Sequence, residues 1–235
     1  MNNPRLNSLK TWLKSLPNTL KIEIDSLVPA SSDASFRRYF RVLTGNPAQP
    51  SLIVMDAPVD KEGSKPFVEV AKLLLDAGLN VPVVLEADLS QGFLLLTDLG
   101  NKTYLSELSG ASMNRAKDLY GDASSALIKM QLASKPGVLP NYDAALLTRE
   151  MDLFPEWYLG RHLNYTMTDT EKNGLKGVFD ALLANNLAQS QVYVHRDYHC
   201  RNLMVTEVNN PGVLDFQDAV YGPITYDLVS LWRDA

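Results

Sequence analysis

A polar loop near the C-terminal end of the chain constrains the fold more than any other feature. The loop spans residues 195–202 and follows a short β-branched, apolar run; it contains Asp197 and, five residues later, Asn202. A further apolar run then ends at Asp215. Short apolar runs between turn residues predict strands, and strand ends bring side chains together. The sequence therefore predicts that three oxygen-bearing side chains converge at strand ends.

These three side chains suit phosphoryl transfer from ATP. That reaction needs a carboxylate to accept the proton of the attacking hydroxyl, and hard oxygen ligands for the Mg²⁺ that bridges the phosphates. Asp197 is the candidate base, and Asn202 and Asp215 are the candidate metal ligands. The order His-Arg-Asp, then Asn, then Asp-Phe fits the catalytic loop and metal-binding motif of kinases. ATP and Mg²⁺ are therefore the predicted cofactors.

The residues within and around these motifs resemble those of a known protein family. The stretch His195 to Asn202, with a second histidine at His199, resembles the catalytic loop of aminoglycoside phosphotransferases and choline kinases. Four segments resemble the bacterial anomeric N-acetylmuramate/N-acetylglucosamine kinases: Ala34 to Val42, Val54 to Pro58, Gly92 to Gly100 and Leu214 to Pro223. The resemblance implies ATP-dependent phosphorylation of an amino sugar at its anomeric hydroxyl, in peptidoglycan recycling.

The resemblance also implies a fold. We expect an α+β, protein-kinase-like architecture of two lobes, with a small antiparallel sheet in the first and mainly helices in the second. The polar, glycine-containing break at Thr97 to Asn101 favours a boundary there, giving a nucleotide-binding lobe over 1–98 and a catalytic lobe over 99–235. In the resembled family the second lobe continues with further helices, which implies that this chain carries only part of that lobe.

The nucleotide site departs from the usual kinase pattern in two ways. The turn that covers the phosphates is usually rich in glycine, but Ser31 to Phe36 contains none and suits phosphate cover or an ordinary hairpin equally. The third strand carries Met55 where kinases have a lysine. Our hypothesis is that Arg37 or Arg38 supplies the missing charge, and Arg41 is a further source. The predicted nucleotide-binding residues are Ser35, Phe36, Arg37, Arg38 and Asp98.

Sugar contacts are expected from the helical part and from the catalytic stretch. A sugar site needs charged hydrogen-bonding groups beside an aromatic side chain, so Arg149, Glu156 and Trp157 are candidates, although the size of Trp157 favours core packing. Glu69 on a predicted helix could pair with a phosphate-binding cation, but a solvated position is favoured. The predicted substrate-binding residues are Glu150, Arg201, Gln217 and Asp218.

Two further side chains are expected to support the loop. His195 is predicted to fix the loop by hydrogen bonding, because Asp197 already fills the role of the base. Asp227 lies in the first turn of a predicted final helix. It suits that helix dipole and, by resemblance, a brace for the catalytic loop.

Composition narrows the partners. The net charge of −5 and the isoelectric point near 5.2 argue against nucleic acid and anionic membranes, which bind through clustered Lys and Arg. The single cysteine, Cys200, permits no intrachain disulfide, and no signal sequence opens the chain. These features favour a cytoplasmic protein that acts on a small-molecule amino sugar.

Two other functions stay open from the sequence. An aminoglycoside or other small-alcohol phosphotransferase would share the motifs, and its cationic substrates are compatible with an acidic chain. A nucleotide-binding pseudoenzyme is the alternative from a different class, and Met55 is the feature that motivates it.

Overall fold

The computed structural model describes residues 4–31, 36–61 and 63–233, and for Ser31 only the backbone. The chain divides into two compact units. The first comprises Met1–Ala126 and Cys200–Gln217, and the second comprises Leu127–His199 and Asp218–Ala235. The lobe boundary between residues 98 and 99 stays a prediction.

The first unit contains a five-stranded antiparallel sheet of β1 Ile22–Ser31, β2 Arg38–Thr44, β3 Ser51–Asp56, β4 Val84–Asp88 and β5 Phe93–Thr97. The spatial order of its strands is β1-β2-β3-β5-β4. Strand β5 lies between β3 and β4 and is almost wholly buried, as its continuous apolar run predicts. The sheet and the helices described below confirm the predicted α+β fold class.

One core cluster of the first unit lies between this sheet and the first helix. Helix α1, Pro4–Ser15, buries Leu9, Trp12 and Leu13, which recur at helical spacing. The Trp12 ring lies 5.7 Å from that of Phe93 on β5. The same cluster contains Val42, Leu52, Val54 and Leu95 of the sheet.

Helix α2, Lys65–Asp76, carries an apolar face of Phe67, Val70, Ala71 and Leu74. The Phe67 ring packs 4.9 Å from that of Phe216, which follows the candidate metal ligand Asp215. Glu69 is exposed and pairs with Lys65 at 3.6 Å, which confirms the solvated position favoured for it.

The first unit also contains a 3₁₀ turn, two helices and a second pair of strands. A 3₁₀ turn spans Asn18–Leu20, α3 spans Tyr104–Leu108, and α4, Met113–Leu132, contributes residues to both units. Strands β7, Leu203–Met204, and β8, Gly212–Val213, form an antiparallel pair.

The second unit is mainly helical. Its elements are α5 Ala144–Leu153, a π-helical segment Phe154–His162, α6 Asp169–Ala188, β6 Gln191–Val194, β9 Val220–Pro223 and α7 Tyr226–Arg233. Thr168 caps α6 in a capping box with Glu171, as its sequence position predicts. Strands β6 and β9 pair antiparallel and bury Val192, Val194 and Val220 in a cluster with Tyr142 and Leu147.

The favoured core position of Trp157 is wrong. Its side chain is 51% exposed, and the Arg161 guanidinium stacks over its ring at 3.8 Å. Pro155 cannot donate a backbone hydrogen bond, and the chain there takes the wider π-helical winding, in which no residue of the segment is buried. Among the described residues, no helix combines the length and the apolar character needed to cross a membrane.

Candidate active site

The catalytic loop begins where β6 ends in the second unit. His195 is fully buried, and its Nδ1 accepts a hydrogen bond of 3.3 Å from the backbone N–H of Asp197. The backbone carbonyl of Asp197 accepts a bond of 3.0 Å from the N–H of His199. The Asp197 side chain is exposed to solvent. The loop therefore holds the backbone of Asp197 on both sides and leaves its carboxylate accessible.

Asp227 on the first turn of α7 braces the start of this loop. Its buried carboxylate accepts hydrogen bonds from the backbone N–H of His195, at 2.6 Å, and of Arg196, at 3.0 Å. Burial raises the pKa of Asp227 to about 7, and the negative charge of Asp197 acts in the same direction against these two hydrogen bonds. The position of Asp227 is therefore compatible with both suggested roles, an acid in the first turn of α7 and a brace for the catalytic loop, and its contact with the loop is direct.

Arg196 takes a backbone conformation that is rare for a residue with a side chain. Its φ of 79° lies in the left-handed region, which costs free energy unless surrounding contacts hold it. Its Nη2 lies 2.5 Å from Oε1 of Glu150, and the hydroxyl of Tyr142 donates to Oε2 of the same carboxylate. Glu150 was predicted to contact the sugar; the structure places one of its oxygens on Arg196 of the catalytic loop and the other on Tyr142, whose ring lies 5.8 Å from the Arg196 guanidinium.

The two candidate metal ligands come together in the first unit. Asn202 directly precedes β7 and Asp215 closely follows β8, so the pairing of these strands aligns them. The backbone N–H of Leu214 donates to the carbonyl of Asn202 at 2.9 Å, and the Asn202 Nδ2 lies 3.5 Å from the Asp215 Oδ2. An amide and a carboxylate at this separation fit Mg²⁺, which typically takes one or two carboxylates and completes its octahedron with phosphates and water.

Asp215 is itself held in place. Its φ of 62° lies in the left-handed region, and the Gln217 Nε2 donates to its Oδ1 at 2.8 Å. Gln217, predicted as a sugar contact, thus orients the carboxylate of a candidate metal ligand. Asp218 belongs to the second unit, and its side chain is exposed.

A pocket of about 290 Å³ opens within the first unit, and Asn202 and Asp215 line it. Most of its other walls are apolar, including Ile53 of β3, Leu96 of β5 and Phe216. Residues 97–101 line it as well. An apolar slot beside two oxygen ligands suits a flat heterocycle joined to a metal-bound anion.

Asp98 contributes to this pocket as a fixed element. Its carboxylate accepts hydrogen bonds from Arg41 Nε at 2.5 Å, Ser51 Oγ at 2.7 Å and the backbone N–H of Gly100 at 2.9 Å. Burial alone would raise the pKa of Asp98, but the hydrogen bonds from Arg41 and Ser51 outweigh it and hold that pKa below the ordinary value. Asp98 therefore positions the 97–100 backbone through its side chain.

The arginines proposed to replace the strand lysine lie elsewhere. The Arg38 Nε lies 3.1 Å from Oδ2 of Asp56, a fully buried carboxylate that also accepts from Arg5 Nε at 2.8 Å. Phe36 is mostly exposed and lies near the ammonium of Lys61. The described lining of the pocket does not include Phe36, Arg37 or Arg38. Ser35, also predicted to bind the nucleotide, lies outside the described residues.

Sequence reasoning gave little weight to two residues of β2 that do line the pocket. Tyr39 and Arg41 face it, and they are two positions apart. Side chains alternate between the faces of a strand, so the alternation of β2 separates Arg41 from Arg38. That alternation was a signal favouring Arg41 over Arg38; it does not separate Arg41 from Arg37, which lies just before β2.

Comparison with known proteins gives a family. The sequence profile of the phosphotransferase enzyme family (APH) matches residues 26–235. The N-acetylmuramate/N-acetylglucosamine kinase of Pseudomonas aeruginosa is 49% identical over 238 residues, covering 98% of this chain and 68% of that protein. The enzyme of the same name from Neisseria meningitidis is 46% identical over 229 residues, covering 97% of this chain and 66% of that protein.

Solved structures agree on the fold. An ADP-bound aminoglycoside phosphotransferase superposes with a TM-score of 0.66 at 16% identity, covering 97% of this chain and 75% of that one. A choline kinase from Streptococcus pneumoniae gives a TM-score of 0.66 at 14% identity, covering 98% of this chain and 74% of that one. The predicted resemblance and kinase-like fold are confirmed, and this chain belongs to the phosphotransferase enzyme family.

Proposed function

We propose that this protein is an ATP-dependent kinase that phosphorylates the anomeric hydroxyl of N-acetylmuramate or N-acetylglucosamine. The observation that carries the proposal is the 3.5 Å approach of Asn202 and Asp215 in an otherwise mainly apolar pocket. The relatives of that name, 46–49% identical over nearly the whole chain, support the choice of sugar. Because the cosubstrate would be ATP, we place the reaction in the cytoplasm and assign it to peptidoglycan recycling.

The pocket of the first unit would hold the nucleotide. Its apolar walls suit adenine, and the backbone of 97–101, fixed through Asp98, offers hydrogen-bonding groups to the edge of the ring. Asn202 and Asp215 would hold Mg²⁺, which supplies charge neutralisation at the phosphates. Gln217 would keep the Asp215 carboxylate oriented for that role.

Asp197 would act as the base. As the anomeric oxygen attacks the γ-phosphorus, its proton passes to the Asp197 carboxylate, the bond from the γ-phosphorus to the bridging oxygen breaks, and ADP leaves. An anomeric hydroxyl is more acidic than other sugar hydroxyls, so a carboxylate suffices. The exposed side chain and the fixed backbone of Asp197 support this role, because a base must reach its substrate in a defined geometry.

Phosphorus NMR tests the proposal. The purified chain is incubated with Mg²⁺-ATP and, in separate samples, N-acetylmuramate, N-acetylglucosamine or kanamycin. We expect a sugar-1-phosphate resonance with an amino sugar, and in Asp197→Asn a loss of rate of about 10²- to 10⁴-fold, the usual contribution of a general base.

The other results separate the alternatives. Phosphorylated kanamycin without sugar phosphate would assign the chain to aminoglycoside modification. Nucleotide-dependent thermal stabilisation with no product from any acceptor would indicate a nucleotide-binding protein without kinase activity. Asp197→Asn activity equal to that of the wild type would exclude Asp197 as the base.

A further inference from the structure

A nucleoside triphosphate brings more negative charge to its site than one divalent ion neutralises. Kinases therefore supply a cationic side chain as well, usually a lysine of the third strand. In this chain that strand carries Met55, which is fully buried and uncharged. The phosphate-binding cation must come from another element.

Both arginines of β2 already have counter-ions. Arg38 is bound to the buried carboxylate of Asp56. Arg41 lines the pocket, but two of its nitrogens lie on the two oxygens of Asp98, at 2.5 and 3.0 Å, and its Nη2 also donates to the carbonyl of Gly100. The charge of an arginine with a bidentate carboxylate partner is largely offset by that partner, and few of its donors remain for a phosphate.

Arg201 is in a different situation. It lines the same pocket as Asn202 and Asp215, and its side chain is exposed. Among the described residues it has no ion pair or hydrogen-bond partner for its guanidinium. Its backbone position is nevertheless fixed, because the carbonyl of the preceding Cys200 accepts a 3.0 Å bond from Leu105 and β7 begins two residues later.

We infer that Arg201 binds the triphosphate of the nucleotide and takes the place of the strand lysine. The inference rests on the proposed function, since it assumes that the pocket holds ATP. Arg201 directly precedes the metal ligand Asn202, so the cation and the metal would reach the same phosphates from one segment of backbone. A guanidinium presents paired donors that match two phosphate oxygens, a geometry that a lysine cannot reproduce.

Binding of nucleotides without sugar tests this directly. Isothermal titration calorimetry compares adenosine with the non-hydrolysable analogue AMP-PNP, in the presence of Mg²⁺, for the wild type, Arg201→Ala and Arg201→Lys. We expect Arg201→Ala to weaken AMP-PNP binding about ten- to a hundredfold, which corresponds to the loss of hydrogen bonds to a charged group. Adenosine binding should not change, and Arg201→Lys should fall between the other two.

The matched control is Arg115→Ala, which removes an arginine of α4 that pairs with Glu107 and is absent from the described pocket lining. Its AMP-PNP affinity should equal that of the wild type. Thermal unfolding of each variant checks that the fold is retained, as we expect for the exposed Arg201 and the partly exposed Arg115.

Unchanged AMP-PNP affinity in Arg201→Ala would overturn the inference. A raised KM for the sugar with an unchanged KM for ATP would also overturn it and would make Arg201 a sugar contact. A wild type that prefers AMP-PNP to adenosine through Arg201, yet phosphorylates no sugar, would support the inference while the proposed function fails.

Discussion

The buried carboxylate of Asp227 accepts a hydrogen bond of 2.6 Å from the backbone N–H of His195. The two residues are 32 positions apart, so the contact ties the first turn of the final helix to the first residue of the catalytic loop. Together with the bond to Arg196, it satisfies two backbone donors that lie directly beyond the end of β6. The position of Asp197 therefore depends on a residue that never needs to meet substrate.

The first prediction concerns pH. The pKa of Asp227 is raised to about 7 in the folded chain, from an ordinary value near 4 in the unfolded chain. Its favourable contribution to stability is therefore complete below about pH 4 and is lost as the pH rises through about 7. Integrated over that range, the loss is on the order of 4 kcal/mol.

Asp227→Asn isolates this effect, because asparagine resembles the protonated acid and does not titrate. Urea unfolding at pH 5 and pH 8 should show a smaller loss of stability for the variant than for the wild type. Equal losses in the two proteins would mean that Asp227 titrates normally in the folded chain.

The second prediction concerns Glu150 as a positioning residue. Glu150→Gln keeps the shape of the side chain but removes the negative charge beside the Arg196 guanidinium. We expect kcat to fall about tenfold or more through misplacement of the loop, with little change in the KM for ATP. Steady-state kinetics with both substrates measures this, and Glu69→Gln on the exposed face of α2 is the control. A raised KM for the sugar at unchanged kcat would instead make Glu150 a sugar contact.

The third prediction concerns the metal. Asp215→Asn removes a charge from the candidate Mg²⁺ site and should raise the Mg²⁺ concentration needed for half-maximal activity about tenfold or more, because carboxylate charge dominates the binding of this hard cation. Gln217→Ala should raise it less, since Gln217 only orients that carboxylate. Titration of activity with Mg²⁺ at fixed ATP measures both. An unchanged Mg²⁺ requirement in Asp215→Asn would place the metal elsewhere.

Much of the candidate site was predictable because its residues lie close together in sequence. Asn202 and Asp215 flank two strands that the apolar runs mark, so their convergence follows from strand pairing. Strands were predictable where a short apolar run has polar residues at both ends. Strand β3, for example, begins at Ser51 and ends at Asp56, the two residues that bound its apolar run.

Contacts set by strand register were not predictable in the same way. Arg38 was proposed to bind phosphate, yet the pairing of β2 with β3 places it directly opposite Asp56. A shift of one residue in the pairing of β2 with β3 would place a different residue opposite Arg38. Residue types alone do not determine that register. The partner of Glu150 was hidden for a related reason, because Arg196 lies 46 residues further along the chain.

The fourth prediction concerns Asp56. Asp56→Asn leaves the partly exposed guanidinium groups of Arg5 and Arg38 without their shared carboxylate, and losing hydrogen bonds to a charged group costs about 1.5–3 kcal/mol. Urea unfolding should show this loss, while Asp60→Asn in an exposed turn should change stability by less than about 0.5 kcal/mol. If Asp56→Asn were as stable as the wild type, the two arginines would have other counter-ions in solution.

The fifth prediction concerns Gly92 at the start of β5. Its φ of 74° is unfavourable for other residues, and an added Cβ would lie 1.8 Å from the carbonyl oxygen of Ala57, whose N–H bonds to Gly92. Gly92→Ala should therefore lower the free energy of unfolding by about 2 kcal/mol or more. Gly121→Ala in α4, where a Cβ meets nothing within 4 Å, should raise it by about 0.5–1 kcal/mol. The two alanine variants should shift the urea midpoint in opposite directions because, of these two glycines, only Gly92 has a left-handed backbone. A shift of the same sign in both variants would contradict this explanation.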